Sequence, residues 1–119
     1  MHPALQNMLN EYQIFLKATE DKCTETQQKF RIIRQQIQAT GVNQKAMNEL
    51  FLLSHGLNQV AYLLMEAHSR VNNVRANYDE SDQIIIDSYG AVAKKANAIV
   101  RSINTYKSSL VTPDSSVSI

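Results

Sequence analysis

The apolar positions of this chain recur at alternating steps of three and four residues, the pattern of helices that pack side by side. One unbroken run comprises Leu50, Leu53, Leu57, Val60, Leu64, Ala67, Val71, Val74 and Tyr78. An upstream run is equally regular and comprises Leu5, Leu9, Tyr12, Leu16, Thr19, Cys23, Thr26, Phe30, Ile33 and Ile37. Its middle carries small or polar residues, which indicates a helix that contacts more than one neighbour. We therefore predict two long helices, at about residues 3–39 and 44–79.

The segment between these runs, residues 40–43, carries the signals of a tight turn. Gly41 suits the position after a helix end, where the backbone often adopts a positive φ. Asn43 suits the N-cap of the next helix, because its side chain accepts a hydrogen bond from a free backbone N–H. Two helices of similar length joined by a short loop predict an antiparallel helical hairpin. Its contact line should bury Leu57 and Leu64 between the helices.

A third apolar run follows Asp82 and comprises Ile85, Tyr89, Val92, Ala96, Ile99, Ile103, Tyr106 and Leu110. It is out of phase with the second run, which indicates a break. Acidic residues cluster at its start and basic residues follow, an arrangement that complements the helix dipole. We predict a third helix at about residues 82–108, which either packs back on the hairpin or continues the second helix as one rod. Residues 112–119 are polar, contain a proline, and are predicted to form a disordered tail.

The composition is ordinary for a folded protein, and we predict one all-α domain at residues 1–111. The chain has 119 residues, a net charge of +1, 44% hydrophobic residues, three Gly and two Pro. So small a net charge gives no electrostatic drive toward nucleic acid. No apolar run approaches the roughly 20 residues of a membrane span. The N-terminus lacks the basic and apolar regions of a cleavable signal peptide, so any export is expected to proceed without one.

The reactive side chains do not form a catalytic or metal-binding pattern. His55 and His68 are thirteen residues apart on one predicted helix, and Cys23 lies on another, so no third ligand converges with them. No phosphate-binding glycine loop and no Ser-His-Asp signature is present. We therefore expect a protein that is not an enzyme and needs no cofactor. Gly56, inside the second helix, is read either as a site of close helix approach or as a tolerated surface glycine.

Apolar side chains outside the contact line of the hairpin indicate a binding surface. Phe51, Tyr62 and Met65 lie off the two main runs, where a lone hairpin cannot cover them. We assign Phe51, Leu57, Tyr62 and Met65 to a partner interface. The partner is expected to be a second copy or another helical protein.

The second helix is followed by the sequence Tyr78-Asp79-Glu80-Ser81-Asp82. In a continuous helix, Tyr78 and Asp82 would lie one turn apart on the same face. Together with Gly41 in the turn and the apolar run from Leu50 to Val74, this element resembles the ESAT-6-like (WXG100) superfamily. The resemblance covers about residues 5–82. Because the chain has no Trp for the Trp-x-Gly turn and continues into a third segment, it is most similar to the small Trp-less partner proteins of LXG-type effectors.

The resemblance implies a small helical substrate or helper of a bacterial type VII secretion system. Such a protein would pair with itself or with an LXG-type effector in the cytoplasm and then be secreted. Tyr78 and Asp82 would form an export signal presented to the secretion ATPase. The alternative is a cytoplasmic coiled-coil adaptor or structural helical-bundle subunit, in which the third helix packs back on the hairpin and Tyr78 belongs to the core. A neighbouring secretion ATPase or LXG toxin gene would favour the first hypothesis.

Overall fold

The computed structural model describes residues 2–117, with side chains for residues 2–111. The described chain contains helices and no strands, which confirms the all-α prediction. In chain order the elements are α1 (Pro3–Thr40), α2 (Gln44–Asn73), a 3-10 turn (Arg75–Asn77), α3 (Glu80–Asp87) and α4 (Tyr89–Val117).

The first two helices form the predicted antiparallel hairpin, and the turn uses the predicted residues. Gly41 has a φ of 87°, and its N–H donates to the carbonyl of Ile37 at 2.8 Å. The side chain of Asn43 accepts from the N–H of Ala46 at 2.8 Å and caps α2. The local signals of capping and positive φ therefore determine where the chain reverses.

The third segment packs back on the hairpin instead of continuing α2. Helix α4 contacts both α1 and α2 along its length. Its apolar residues Ala96, Ile99 and Ile103 are buried in one cluster with Phe30 and Leu57. The described chain is thus an up-down-up three-helix bundle with dimensions of 62 × 27 × 18 Å. The single-rod alternative is excluded.

The predicted apolar runs are the core. Most positions of the first run are buried, and they comprise Leu9, Tyr12, Thr19, Cys23, Thr26, Phe30, Ile33 and Ile37. In α2, Leu57 and Leu64 are buried between the helices, as predicted. The small residues in the middle of α1 lie between two larger clusters, one near the 40–43 turn and one near α3. Thr19 satisfies its hydroxyl there by donating to the carbonyl of Phe15 at 2.8 Å.

The predicted ends of the second and third helices are wrong. Helix α2 ends at Asn73 instead of residue 79, because Val74 (φ −120°, ψ 22°) leaves helical geometry and the chain turns toward α1. The third helix begins at Glu80 and is interrupted at Ser88. There the hydroxyls of Tyr12 and Ser88 donate to the carbonyl of Ile85, at 3.1 and 2.6 Å.

The last helix continues past the predicted end at residue 108. Helix α4 runs to Val117, so the tail predicted for residues 112–119 is helical at 112–117. Residues 118–119 lie outside the described part of the chain. The polar composition of this segment therefore did not end the helix where we expected.

The 40–43 turn yields a paired glycine test. Gly41→Ala should destabilise the fold by about 1–3 kcal/mol, because a residue with a Cβ is strained at a φ of 87°. Gly90→Ala should stabilise it by up to about 1 kcal/mol, because Gly90 is helical and the space around it is open. Urea unfolding of both variants measures the change in the free energy of unfolding. Equal changes of the same sign would contradict the assignment of Gly41 to a positive φ and of Gly90 to a helix.

Candidate functional site

The junction between α2 and α3 places the Tyr78 side chain inside the protein. Tyr78 has extended backbone geometry (φ −102°, ψ 154°) and is only 4% exposed. Its hydroxyl donates to the carbonyl of Leu5 at 2.7 Å, and its ring packs in the cluster that contains Val71 and Ile86. Removal from water raises the pKa of the Tyr78 phenol, and the nearby Asp82 carboxylate raises it further. Tyr78 thus ties the junction to the first turn of α1.

Asp82 does not share a helix face with Tyr78, so the predicted one-turn spacing is wrong. Asp79 caps α3, and its carboxylate accepts from the N–H of Asp82 and the hydroxyl of Ser81, each at 2.9 Å. These bonds lower the pKa of Asp79, the Asp82 N–H bond most strongly. Partial removal from water and the charge of Asp79 raise the pKa of Asp82. Asp82 is therefore a partly exposed carboxylate in the first turn of α3, apart from the buried Tyr78 ring.

Three polar contacts that the sequence did not predict fix the rest of the junction. Arg75 forms a bidentate ion pair with Asp87, with N–O distances of 2.6 and 2.8 Å. The side chain of Gln83 donates to the carbonyls of Arg75 and Tyr78, both at 3.0 Å. Tyr12, in α1, donates to the carbonyl of Ile86 at 2.9 Å. The contact of Tyr12 with Ile86 joins positions 74 residues apart, so no local sequence signal could have paired them, whereas the contacts of Arg75 and Gln83 span 5 to 12 residues.

His68 lies beside this junction and stacks on an aromatic ring. Its ring centroid is 4.1 Å from that of Tyr89, with an interplanar angle of 12°, and 5.9 Å from that of Tyr12. Burial lowers the pKa of His68, and Arg75 lowers it further, while Asp87 opposes the shift. The stack makes His68 a contact between α2 and α4.

The outer face of α2 exposes a strip of large apolar side chains. Phe51, Tyr62 and Met65 are 52%, 55% and 45% exposed, and Leu52 and Leu63 lie beside them. We call these five residues the α2 strip. Leu57, which we assigned to the same interface, is fully buried between the helices, so that assignment is wrong. Because Leu57 belongs to the apolar run with alternating three- and four-residue spacing, the sequence already placed it on the buried side of α2.

The side chains of the α2 strip carry no charge themselves, although the ammonium group of Lys107, on α4, lies 5.1 Å from the centroid of the Phe51 ring. No Asp, Glu, Lys or Arg occurs between residues 50 and 65. The ring of His55 stacks on that of Phe51, with ring centroids 5.6 Å apart. From Phe51 to Met65 it is about 21 Å long, at ~1.5 Å per residue. Depletion of charge and exposed aromatic residues are the features that distinguish protein–protein interfaces from other surfaces.

The described His, Cys, Asp and Glu side chains show where a metal ion or a reactive thiol could lie. In the described part of the chain no three His, Cys, Asp or Glu side chains lie close enough to hold a metal ion. Cys23 is buried, and burial raises the pKa of its thiol, which disfavours the reactive thiolate. None of the described helices is both long and apolar enough for a membrane crossing.

Comparison with known proteins identifies no relative of this chain. No protein-family model, curated protein or solved structure matches it.

The stacked His68 predicts a loss of stability on mild acidification. The pKa of His68 is lowered in the folded state, so the unfolded chain binds the proton more readily. Stability should fall as the pH drops from the unfolded-state pKa of about 6.5 through the lower folded-state pKa. His68→Gln should flatten the decrease in melting temperature between pH 7 and 5. His55→Gln, at an exposed position, should keep the wild-type slope, and a flattened slope in this control would contradict the assignment.

Proposed function

We propose that this protein is a non-enzymatic helical partner protein that binds another helical surface through the α2 strip. The observation that carries the proposal is the apolar outer face of α2, where the five side chains of the strip are 44–63% exposed. The strip is long enough for several turns of helix packing, and an apolar face of this kind buries favourably at ~25 cal/mol per Å². The partner is a second copy of the chain or a larger helical protein.

The way the third helix packs supports the adaptor or bundle-subunit form of this function. That hypothesis expects α4 to cover one side of the hairpin and Tyr78 to lie in the core. Both features are present, since Tyr78 is buried and α4 contacts α1 and α2. A bundle with one face covered by α4 keeps the α2 strip as a rigid, preorganised surface, which lowers the entropic cost of binding.

A type VII secretion substrate or helper is the second candidate. It is supported by the antiparallel hairpin, by the resemblance of residues 5–82, and by the accessible Asp82 at the end of the bundle where α2 ends. Because the Tyr78 ring is buried, the part of the proposed export signal that a secretion ATPase could contact is Asp82 and the surface around it. Tyr78 would then position that surface through its bond to Leu5.

The association test removes the apolar character of the α2 strip without touching the core. Wild-type protein at about 100 μM should sediment as a species larger than a monomer, alone or with its helical partner. The triple variant Phe51→Gln, Tyr62→Gln, Met65→Gln should be monomeric with an unchanged helical circular dichroism spectrum, because burial of apolar surface drives the association.

The matched control removes equally exposed apolar side chains from elsewhere. Ile14 and Ile84 are exposed and lie outside the α2 strip. The double variant Ile14→Gln, Ile84→Gln should associate like the wild type. A wild-type protein that remains monomeric and takes up no partner would contradict the proposed function.

The secretion hypothesis has its own test in a host with a type VII system. Asp82→Asn should lower the level in the culture supernatant about tenfold, since a lost charge-assisted hydrogen bond is worth ~1.5 kcal/mol. Its melting temperature should change little. Glu80→Gln, in the same exposed first turn of α3, should be exported normally. The secretion hypothesis would be wrong if Asp82→Asn is exported normally and the double variant Tyr78→Phe, Asp82→Ala, shown to be folded, is also exported normally.

A further inference from the structure

The charges of this chain are separated along the bundle. Residues 26–48 and 88–113 together contain eight Lys or Arg and no Asp or Glu, although the net charge of the chain is only +1. The second half of α1 and most of α4 belong to these segments, and the two helices pack side by side. Their contact therefore creates a surface whose charge is of one sign.

A groove of about 520 Å³ follows this contact and is lined by basic and amide side chains. Arg31 and Arg34 line it from α1, and Lys95 lines it from α4. A second depression shares Arg34 with the first and adds Arg101. None of these four residues forms an ion pair with any carboxylate among the described side chains. We call this feature the α1–α4 groove.

Aromatic rings hold one of its cations in place. The guanidinium carbon of Arg34 lies 5.4 Å from the centroid of the Phe30 ring and 5.2 Å from that of Tyr106. The two rings meet edge to face, with centroids 5.7 Å apart. A stacked guanidinium keeps its N–H donors free and loses less conformational entropy when it binds an anion. The groove thus presents the stacked guanidinium of Arg34 beside three other cationic side chains.

We propose that the α1–α4 groove binds an acidic, carboxylate-bearing segment of a partner protein. Guanidinium groups pair with carboxylates through two parallel hydrogen bonds. The side chains of Gln27, Gln35 and Gln38, which also line the groove, add neutral amide donors and acceptors. From Gln27 to Gln38 the groove is about 17 Å long, at ~1.5 Å per residue, which matches roughly three turns of a helix.

The charge distribution favours an acidic peptide over nucleic acid. A net charge of +1 supplies little long-range attraction for a polyanion. A phosphate backbone that continued along α1 beyond the groove would also approach the carboxylate of Glu20, which lies about two turns before Gln27 on the same helix face. A short acidic segment avoids this repulsion because it ends with the groove.

The α1–α4 groove and the α2 strip lie on different sides of the bundle. The groove is formed by α1 and α4, whereas the strip belongs to the outer face of α2. The inference therefore does not depend on the proposed function, and one can fail while the other holds. A protein with both surfaces could contact two segments of one partner or two different partners.

The experiment measures fluorescence anisotropy of a labelled ten-residue oligoglutamate with the full chain in 50 mM NaCl. The variant Arg31→Gln, Lys95→Gln should bind at least about tenfold more weakly, the loss expected for ~1.4 kcal/mol. The control Lys45→Gln, Lys94→Gln removes two exposed charges that do not line the groove. It should change the affinity less than about threefold, the level of general electrostatic attraction. Circular dichroism confirms that both variants fold.

Further ligands and a further variant test which class of ligand the α1–α4 groove binds. Oligoglutamine should not bind, and the Phe51→Gln, Tyr62→Gln, Met65→Gln variant should bind oligoglutamate like the wild type. The proposal is overturned if both charge variants lose affinity equally, or if no oligoglutamate binding is detected at 1 mM peptide. It is also overturned if ten-residue oligothymidylate binds more tightly than oligoglutamate with the same dependence on Arg31 and Lys95, which would assign the groove to nucleic acid.

Discussion

Two long helices that pack against each other leave a groove on each side of their contact line. The rest of the structure depends on one constraint, that α4 must cover one of these grooves. Leu57 and Leu64 seal the contact between α1 and α2. Ile99 and Ile103 then bring α4 onto both helices. To place α4 there, the chain must reverse a second time between residues 74 and 79, without a glycine to assist it.

Polar contacts across the sequence achieve this second reversal. Tyr78 bonds to the first turn of α1, and Tyr12 bonds to the carbonyl of Ile86 at the end of α3. The ion pair between Arg75 and Asp87 closes the outside of the same turn. Buried backbone carbonyls need such partners, because an unpaired polar group inside a protein is costly. Tyr78, which the resemblance assigned to an export signal, therefore has its ring and hydroxyl inside the fold.

The position of α4 also determines which surfaces stay available. It covers one side of the hairpin and contacts the α2 strip through Lys107, which lies over the Phe51 ring, so the strip remains about half exposed. Its own basic residues come to lie beside those of α1, and neither helix supplies an acid to neutralise them there. One packing event thus produces two surfaces of different chemistry, an apolar strip and a basic groove. The two proposed binding surfaces are therefore separate from each other.

The sequence by itself determined the helical class, the hairpin and most of the core, because the three-four spacing and the caps at Gly41 and Asn43 are local properties of the chain. It also predicted that Phe51, Tyr62 and Met65 lie off the contact line. Only the tertiary structure decided that Tyr78 is buried, that α2 ends at Asn73 and that Arg31 and Lys95 share one groove. Those outcomes depend on contacts between residues far apart in the chain, where the energy of packing and of buried hydrogen bonds overrides local helical preference.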